Sequence, residues 1–151
     1  MDRNIRLNVP KKKEHPEEIA KNVLKFLNVL KILDESEFSS WYEQGWSKKE
    51  ALSKKVFFEE EYLLGTVNKC WDKVFPELGT HFSFWTGKDD DSDSSLVSFN
   101  LGMTTKNKNL SANVRIEIPT ESNALTLNDE KVKEIVALMQ EIWGRHSYDI
   151  F

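Results

Sequence analysis

Asp89-Asp90-Asp91-Ser92-Asp93 is the densest run of potential ligands in the chain. Asp89, Asp91 and Asp93 have the alternate spacing of a calcium loop. That chemistry also needs a glycine at the sixth position for the sharp turn and a bidentate glutamate at the twelfth. Ser94 and Asn100 stand at those positions, so no metal is expected. The bland reading of the run is a solvated hairpin tip. The sharper one is an acidic patch that meets a basic partner surface and steers association.

Nucleophiles and bases form no recognisable catalytic set. His15, His81 and His146 are far apart in the chain, with no HExxH motif. No glycine-rich phosphate loop precedes a Lys-Ser or Lys-Thr pair, and no GxSxG nucleophile elbow is present. The single cysteine, Cys70, lacks a catalytic signature and lies in an amphipathic stretch, where a free thiol behaves as a small hydrophobe. A chain that binds without catalysing, and without a cofactor, is the expectation.

Five tryptophans offer the other candidate contacts. Trp71 and Trp143 fall among aliphatic residues at helical spacing and belong to a core. Trp41, Trp46 and Trp85 fall in an aromatic loop and at a strand end, and binding hot spots are rich in tryptophan. Burial is the competing fate for a ring of that size. Trp41, Gly45 and Ser47 are assigned first to structure, as an anchor, a turn and a cap, and become contacts only if exposed.

Composition narrows the partners. At 151 residues, 39% hydrophobic and 30% charged, the chain fits one soluble domain over 1–151 with a single core. A net charge of −4 has the wrong sign for a nucleic-acid binder, whose affinity comes from neutralising phosphates. Lys11-Lys12-Lys13 is the one basic run and reads as a solvated loop. Residues 1–13 hold no apolar run of signal-peptide length, and no stretch approaches the roughly 20 apolar residues of a membrane span. A cytoplasmic protein with no membrane partner is expected.

The elements that would position these residues follow from periodicity. Ile5, Leu7 and Val9 alternate in a strand ended by Pro10. After His15-Pro16, the residues Ile19, Val23, Phe26, Leu27, Leu30 and Leu33 recur at helical spacing. Phe38 to Trp46 reads as irregular, and Ser47 with Glu50 fits a capping box. A longer helix puts Leu63, Val67, Cys70, Trp71 and Val74 on one face and stops at Phe75-Pro76. Strands over 81–86, 96–103 and 112–118 form an antiparallel meander, and a helix spans about Asn128 to Trp143 with Gly144 as its cap. The result is a two-layer α+β sandwich, a mostly antiparallel sheet with helices packed on one face.

Two stretches together resemble a known family. Trp41-Tyr42-Glu43-Gln44-Gly45-Trp46-Ser47-Lys48-Lys49-Glu50-Ala51-Leu52 gives a W-x3-G-x-S-x2-E-A-L pattern. Phe84-Trp85-Thr86-Gly87 is followed by strands ending at Gly102 and Pro119. In order and spacing these are similar to the immunity protein 52 family of bacterial polymorphic toxin systems, over most of the chain. The acidic tip at Asp89 to Asp93 departs from that pattern. The resemblance implies a small α+β immunity protein that binds a cognate toxin, typically a nuclease with a basic surface, and either occludes its active or substrate-binding site or blocks a rearrangement of the toxin. The alternatives are an effector chaperone that binds without inhibiting, and a small metal-dependent hydrolase built on the aspartates.

Overall fold

Alternation of Ile5, Leu7 and Val9 with Asn4, Arg6 and Asn8 suits a strand with one dry face. In the computed structural model, which describes residues 2–43, 53–87, 94–119 and 129–150, strand β1 covers Asp2–Val9. Pro16 opens helix α1, Pro16–Leu33, where its missing N–H costs nothing and Glu17 and Glu18 complement the helix dipole. Asp34 then breaks the helix in extended conformation (φ −153°, ψ 93°) and caps the next, α2, Glu35–Phe38, by accepting from the Glu37 amide at 3.3 Å.

Beyond α2 come a short strand β2 (Tyr42–Glu43), helix α3 (Glu60–Cys70) and a 3₁₀ turn at Pro76–Leu78. Strands β3 (Thr80–Trp85), β4 (Leu96–Leu101) and β5 (Ala112–Pro119) follow, then helix α4 (Asp129–Trp143) and strand β6 (Tyr148–Ile150). The six strands form one antiparallel sheet in the order β2-β3-β4-β5-β1-β6. The meander is the expected one. β1 joins it by pairing with β5 along its whole length, from Asp2↔Pro119 to Val9↔Ala112.

One side of the sheet is dry. Ile5, Leu7, Phe84, Val97, Phe99, Leu101, Val114, Ile116 and Ile118 are buried in a single cluster with the apolar stripes of α1, α3 and α4. Phe26 of α1 makes the central joint: its ring meets Phe99 of β4 at 6.2 Å and Trp143 of α4 at 5.4 Å, both edge-on. Deleting such a ring costs about 3–5 kcal/mol. The architecture is therefore an α+β sandwich of two layers, helices against one sheet face. Gly144 ends α4 as expected, at φ +100°, with its N–H on the Gln140 carbonyl at 2.8 Å.

Several elements differ from the sequence reading. The irregular stretch after Phe38 contains β2, and the chain end contains β6, both too short to show a period. The helix expected to carry Val74 inward stops at Cys70. Trp71 turns extended (φ −66°, ψ 133°) and bridges to Thr80, and the Asp72 carboxylate accepts from the N–H groups of Val74 (3.0 Å) and Phe75 (2.7 Å). A short polar side chain that satisfies the backbone locally competes with the helix. Val74 is consequently 76% exposed and Phe75 55%. The capping box at Ser47 and Glu50 lies outside the described residues.

Candidate functional site

The face of the sheet turned away from the helices is polar, and register fixes its layout. Residues paired across antiparallel strands share a face. One row therefore runs Ser83–Ser98–Arg115–Arg6–Asp149, across five strands. On one side of it lies the row Tyr42–Trp85–Leu96–Glu117–Asn4, and on the other His81–Asn100–Asn113–Asn8. No described helix has its apolar stripe on this face. Ser83 and Ser98 join their hydroxyls at 3.1 Å, and Arg6 Nη2 donates to Asp149 Oδ2 at 3.0 Å.

Trp85, one of the three candidate tryptophans, stands on this open face, half-buried, at the end of β3 that leads to the acidic run. Its indole N–H is screened from solvent and has no acceptor among the described residues. Trp41 has the opposite fate. It is fully buried and stacked on Phe38, with centroids 5.9 Å apart and planes 3° from parallel. Its assignment as a partner contact is corrected to that of an anchor between α2 and β2, because a ring with no exposed surface cannot touch another chain. Trp46, Asp89, Asp90, Asp91 and Asp93 lie outside the described residues.

The neck of the acidic hairpin is clamped. Thr86 N donates to the Ser95 carbonyl at 3.0 Å, and Ser95 N donates to Thr86 Oγ1 at 2.9 Å. The Ser95 hydroxyl donates to Glu37 Oε1 of α2 at 2.8 Å, with Ser95 fully buried and Glu37 almost so. A carboxylate in a dry site is tolerable only when its oxygens are bonded, so this contact fixes where the hairpin leaves the sheet.

At the other end of β3, the turn from Trp71 to Gly79 is held with few loose groups. Besides the two amides on Asp72, Trp71 Nε1 donates to the Pro76 carbonyl at 2.9 Å, and Asp72 N to the Gly79 carbonyl at 2.9 Å. Leu78 N reaches Phe75 O at 2.9 Å and Gly79 N reaches Pro76 O at 3.1 Å. The Glu77 carbonyl accepts from Thr104 N (2.8 Å) and Thr105 N (3.1 Å) of the β4–β5 loop. Gly79 closes the turn at φ +74°, where a Cβ would strike the Leu101 carbonyl oxygen. The turn is closed by these bonds, and it holds Val74 and Phe75 in water.

Between these ends, two shallow grooves of about 290 and 270 Å³ share Cys70 and His81 on their walls. Burial pushes the Cys70 thiol up, against the pull of Lys69 and Lys73, so the sulfur is held as a thiol and not as a nucleophilic thiolate. His15 and His81 are exposed and His146 is half-buried. Among the described residues no three His, Cys, Asp or Glu side chains are placed to hold a metal ion. Glu14 is buried and its carboxyl is raised, by burial first, although the Gly102 amide donates to it at 3.0 Å. Lys11 ties two loops by donating to the Asn107 carbonyl at 2.7 Å, while Lys12 and Lys13 are solvated.

Sequence reasoning missed the Val74–Phe75 turn and the arginine row. The first had a signal, an aspartate two residues before Val74 with Pro76 just beyond. The second had none, because register across strands is not written locally. No helix among the described residues is long and apolar enough to cross a membrane. No protein-family model matches the chain, and a search of curated proteins finds no match.

Proposed function

We propose that this chain is an immunity protein, one that binds a cognate bacterial toxin of nuclease type in the cytoplasm and neutralises it by covering its active or substrate-binding site. The observation that carries the reading is the hydrogen-bonded turn at 71–79. It spends backbone and side-chain hydrogen bonds to hold a phenylalanine and a valine against water, at 55% and 76% exposure. Association costs free energy for every group that must be ordered. An apolar pair already fixed in place avoids that cost, which is the property a binding anchor needs. The acidic run Asp89 to Asp93, leaving the opposite end of β3, supplies the charge that suits a basic nuclease surface.

The test is to look beside this chain's gene for the toxin domain that this reading requires and to express that domain in cells, with wild type, with Val74→Asp/Phe75→Asp, or with the four aspartates changed to asparagine. Wild type should restore growth and co-purify in equal amounts. The turn variant should melt with wild type yet lose co-purification. Co-purification without rescue would replace this reading with an effector chaperone, and the absence of both would end it.

A further inference from the structure

We infer that Arg115, set directly opposite Arg6 on the open face of the sheet, is the receptor for a carboxylate side chain of the partner protein. The inference rests on the protein-binding reading and names the chemistry of one contact within it. Paired residues on an antiparallel sheet have Cβ atoms about 4.5–5.5 Å apart, and like charges placed so repel. Arg6 answers its charge with Asp149 at 3.0 Å. Arg115 answers its own with nothing: among the described residues its guanidinium has no hydrogen bond and no ion pair. Its Nε–H is out of reach of water and lacks an acceptor.

An arginine cannot lose its proton to escape such a position. Leaving a buried donor unmade is itself costly. Arg6 also has an unmade Nε–H but keeps Asp149 as its counter-charge, so among the described residues Arg115 is the arginine of the pair that combines an orphan N–H with an unanswered charge, and a single anion relieves both. The guanidinium fork matches a carboxylate in two parallel hydrogen bonds. The surroundings suit a seat of that size. Ser98, next in the row, is 7% exposed and forms a flat floor with its hydroxyl tied to Ser83. Trp85 stands two strands away, roughly 10 Å across the sheet at the usual strand spacing.

The same observations choose between a protein carboxylate and a nucleic acid. A nucleic acid needs several cations along a track, since its affinity comes from neutralising successive phosphates. Among the described residues this face offers one unanswered guanidinium, with Glu117 two residues along its own strand and Asp149 beyond Arg6, in a chain of net charge −4. One acidic side chain can reach Arg115 beside Glu117, whereas a phosphate chain would run over both carboxylates. A partner that is basic where it meets the aspartate run and acidic where it meets Arg115 can dock in one orientation only.

The experiment is an NMR titration of the full ¹⁵N-labelled chain, read at the Arg115 Nε–H and the Trp85 indole N–H. Triglutamate, inorganic phosphate and a short oligothymidylate are added separately. Triglutamate should move the Arg115 signal along a saturable, millimolar curve, more strongly than phosphate. Loss of a charge-assisted pair weakens binding roughly 10- to 100-fold, so Arg115→Gln should weaken triglutamate by that factor, read at Trp85. Arg115→Lys, which keeps charge without the fork, should fall between. No saturable shift of Arg115 with triglutamate would overturn the inference. So would oligothymidylate binding more tightly than triglutamate, which would give the face to nucleic acid. Because no toxin is needed, an Arg115 response with failed cellular rescue would sink the immunity reading alone. Rescue without an Arg115 response would sink the carboxylate seat alone.

Discussion

Replacing Ser95 by alanine removes one hydroxyl from the neck of the acidic hairpin and leaves the backbone pairing with Thr86 in place. The deleted bond is the 2.8 Å donation to Glu37 Oε1, between a residue with no exposure and one 2% exposed. A hydrogen bond to a charged group contributes about 1.5–3 kcal/mol, and the carboxylate oxygen left behind has no water to turn to. For a domain of this size each kcal/mol moves the melting temperature by about 2–4 °C. Ser95→Ala should therefore melt about 3–12 °C below wild type by circular dichroism. Ser98→Ala is the matched control: it breaks a neutral hydroxyl pair with Ser83 at 3.1 Å and should cost about 1 kcal/mol or less. In a double-mutant cycle with Glu37→Leu, which has no acceptor, the two losses should fail to add, because each removes the same bond. A melting temperature within about 1 °C of wild type for Ser95→Ala would refute the assignment of that bond as the clamp.

Asp34 gives a pH-dependent result. Burial pushes its carboxyl up, but bonds from Ser36, Lys131 and the Glu37 amide outweigh burial and hold it below the ordinary 3.8. A folded value below the unfolded one adds stability above about pH 4 that disappears as pH falls through the lowered value. Asp34→Asn keeps a capping side chain, so its deficit in urea midpoint should be clear near neutrality and close in acid. Tyr62 makes a contrasting case at the alkaline end. Burial, then the charge and hydrogen bond of Glu43, push its phenol up to about 12. The folded chain keeps that proton where the unfolded chain loses it, so stability should decline as pH rises from 10 through about 12. Glu43→Gln should bring the tyrosinate absorbance of Tyr62 in at lower pH, though not to the ordinary value, since burial persists.

How much was legible beforehand varies by residue. The stripe Ile19–Val23–Phe26–Leu27–Leu30 and the alternation through β1, β4 and β5 are local, repeat several times, and decide which face is dry. They fixed the α+β class and the meander. Elements of two or three residues, such as β2 and β6, show no period and emerge only where a neighbouring strand offers its edge. The helix after Glu60 was read too long because Val74 keeps the helical spacing. That spacing cannot register that Asp72 satisfies the next two amides more cheaply than another turn would.

The candidate site divides along the same line. Sequence alone determined the candidates: an acidic run, aromatic rings, one cysteine, and no recognisable catalytic or metal-binding motif. Tertiary structure decided their placement. It buried Trp41 against Phe38, left Trp85 on the open face, turned Val74 and Phe75 outward, and set Arg115 opposite Arg6. Each of these depends on which strand lies beside which, and in what register. Arg6 and Arg115 are far apart along the chain, and a slip of one residue in the β1–β5 pairing would send one of them to the other face. Periodicity is a property of neighbours in sequence and survives in a single chain read alone. Register is a property of neighbours in space, and it comes into being only when the core closes.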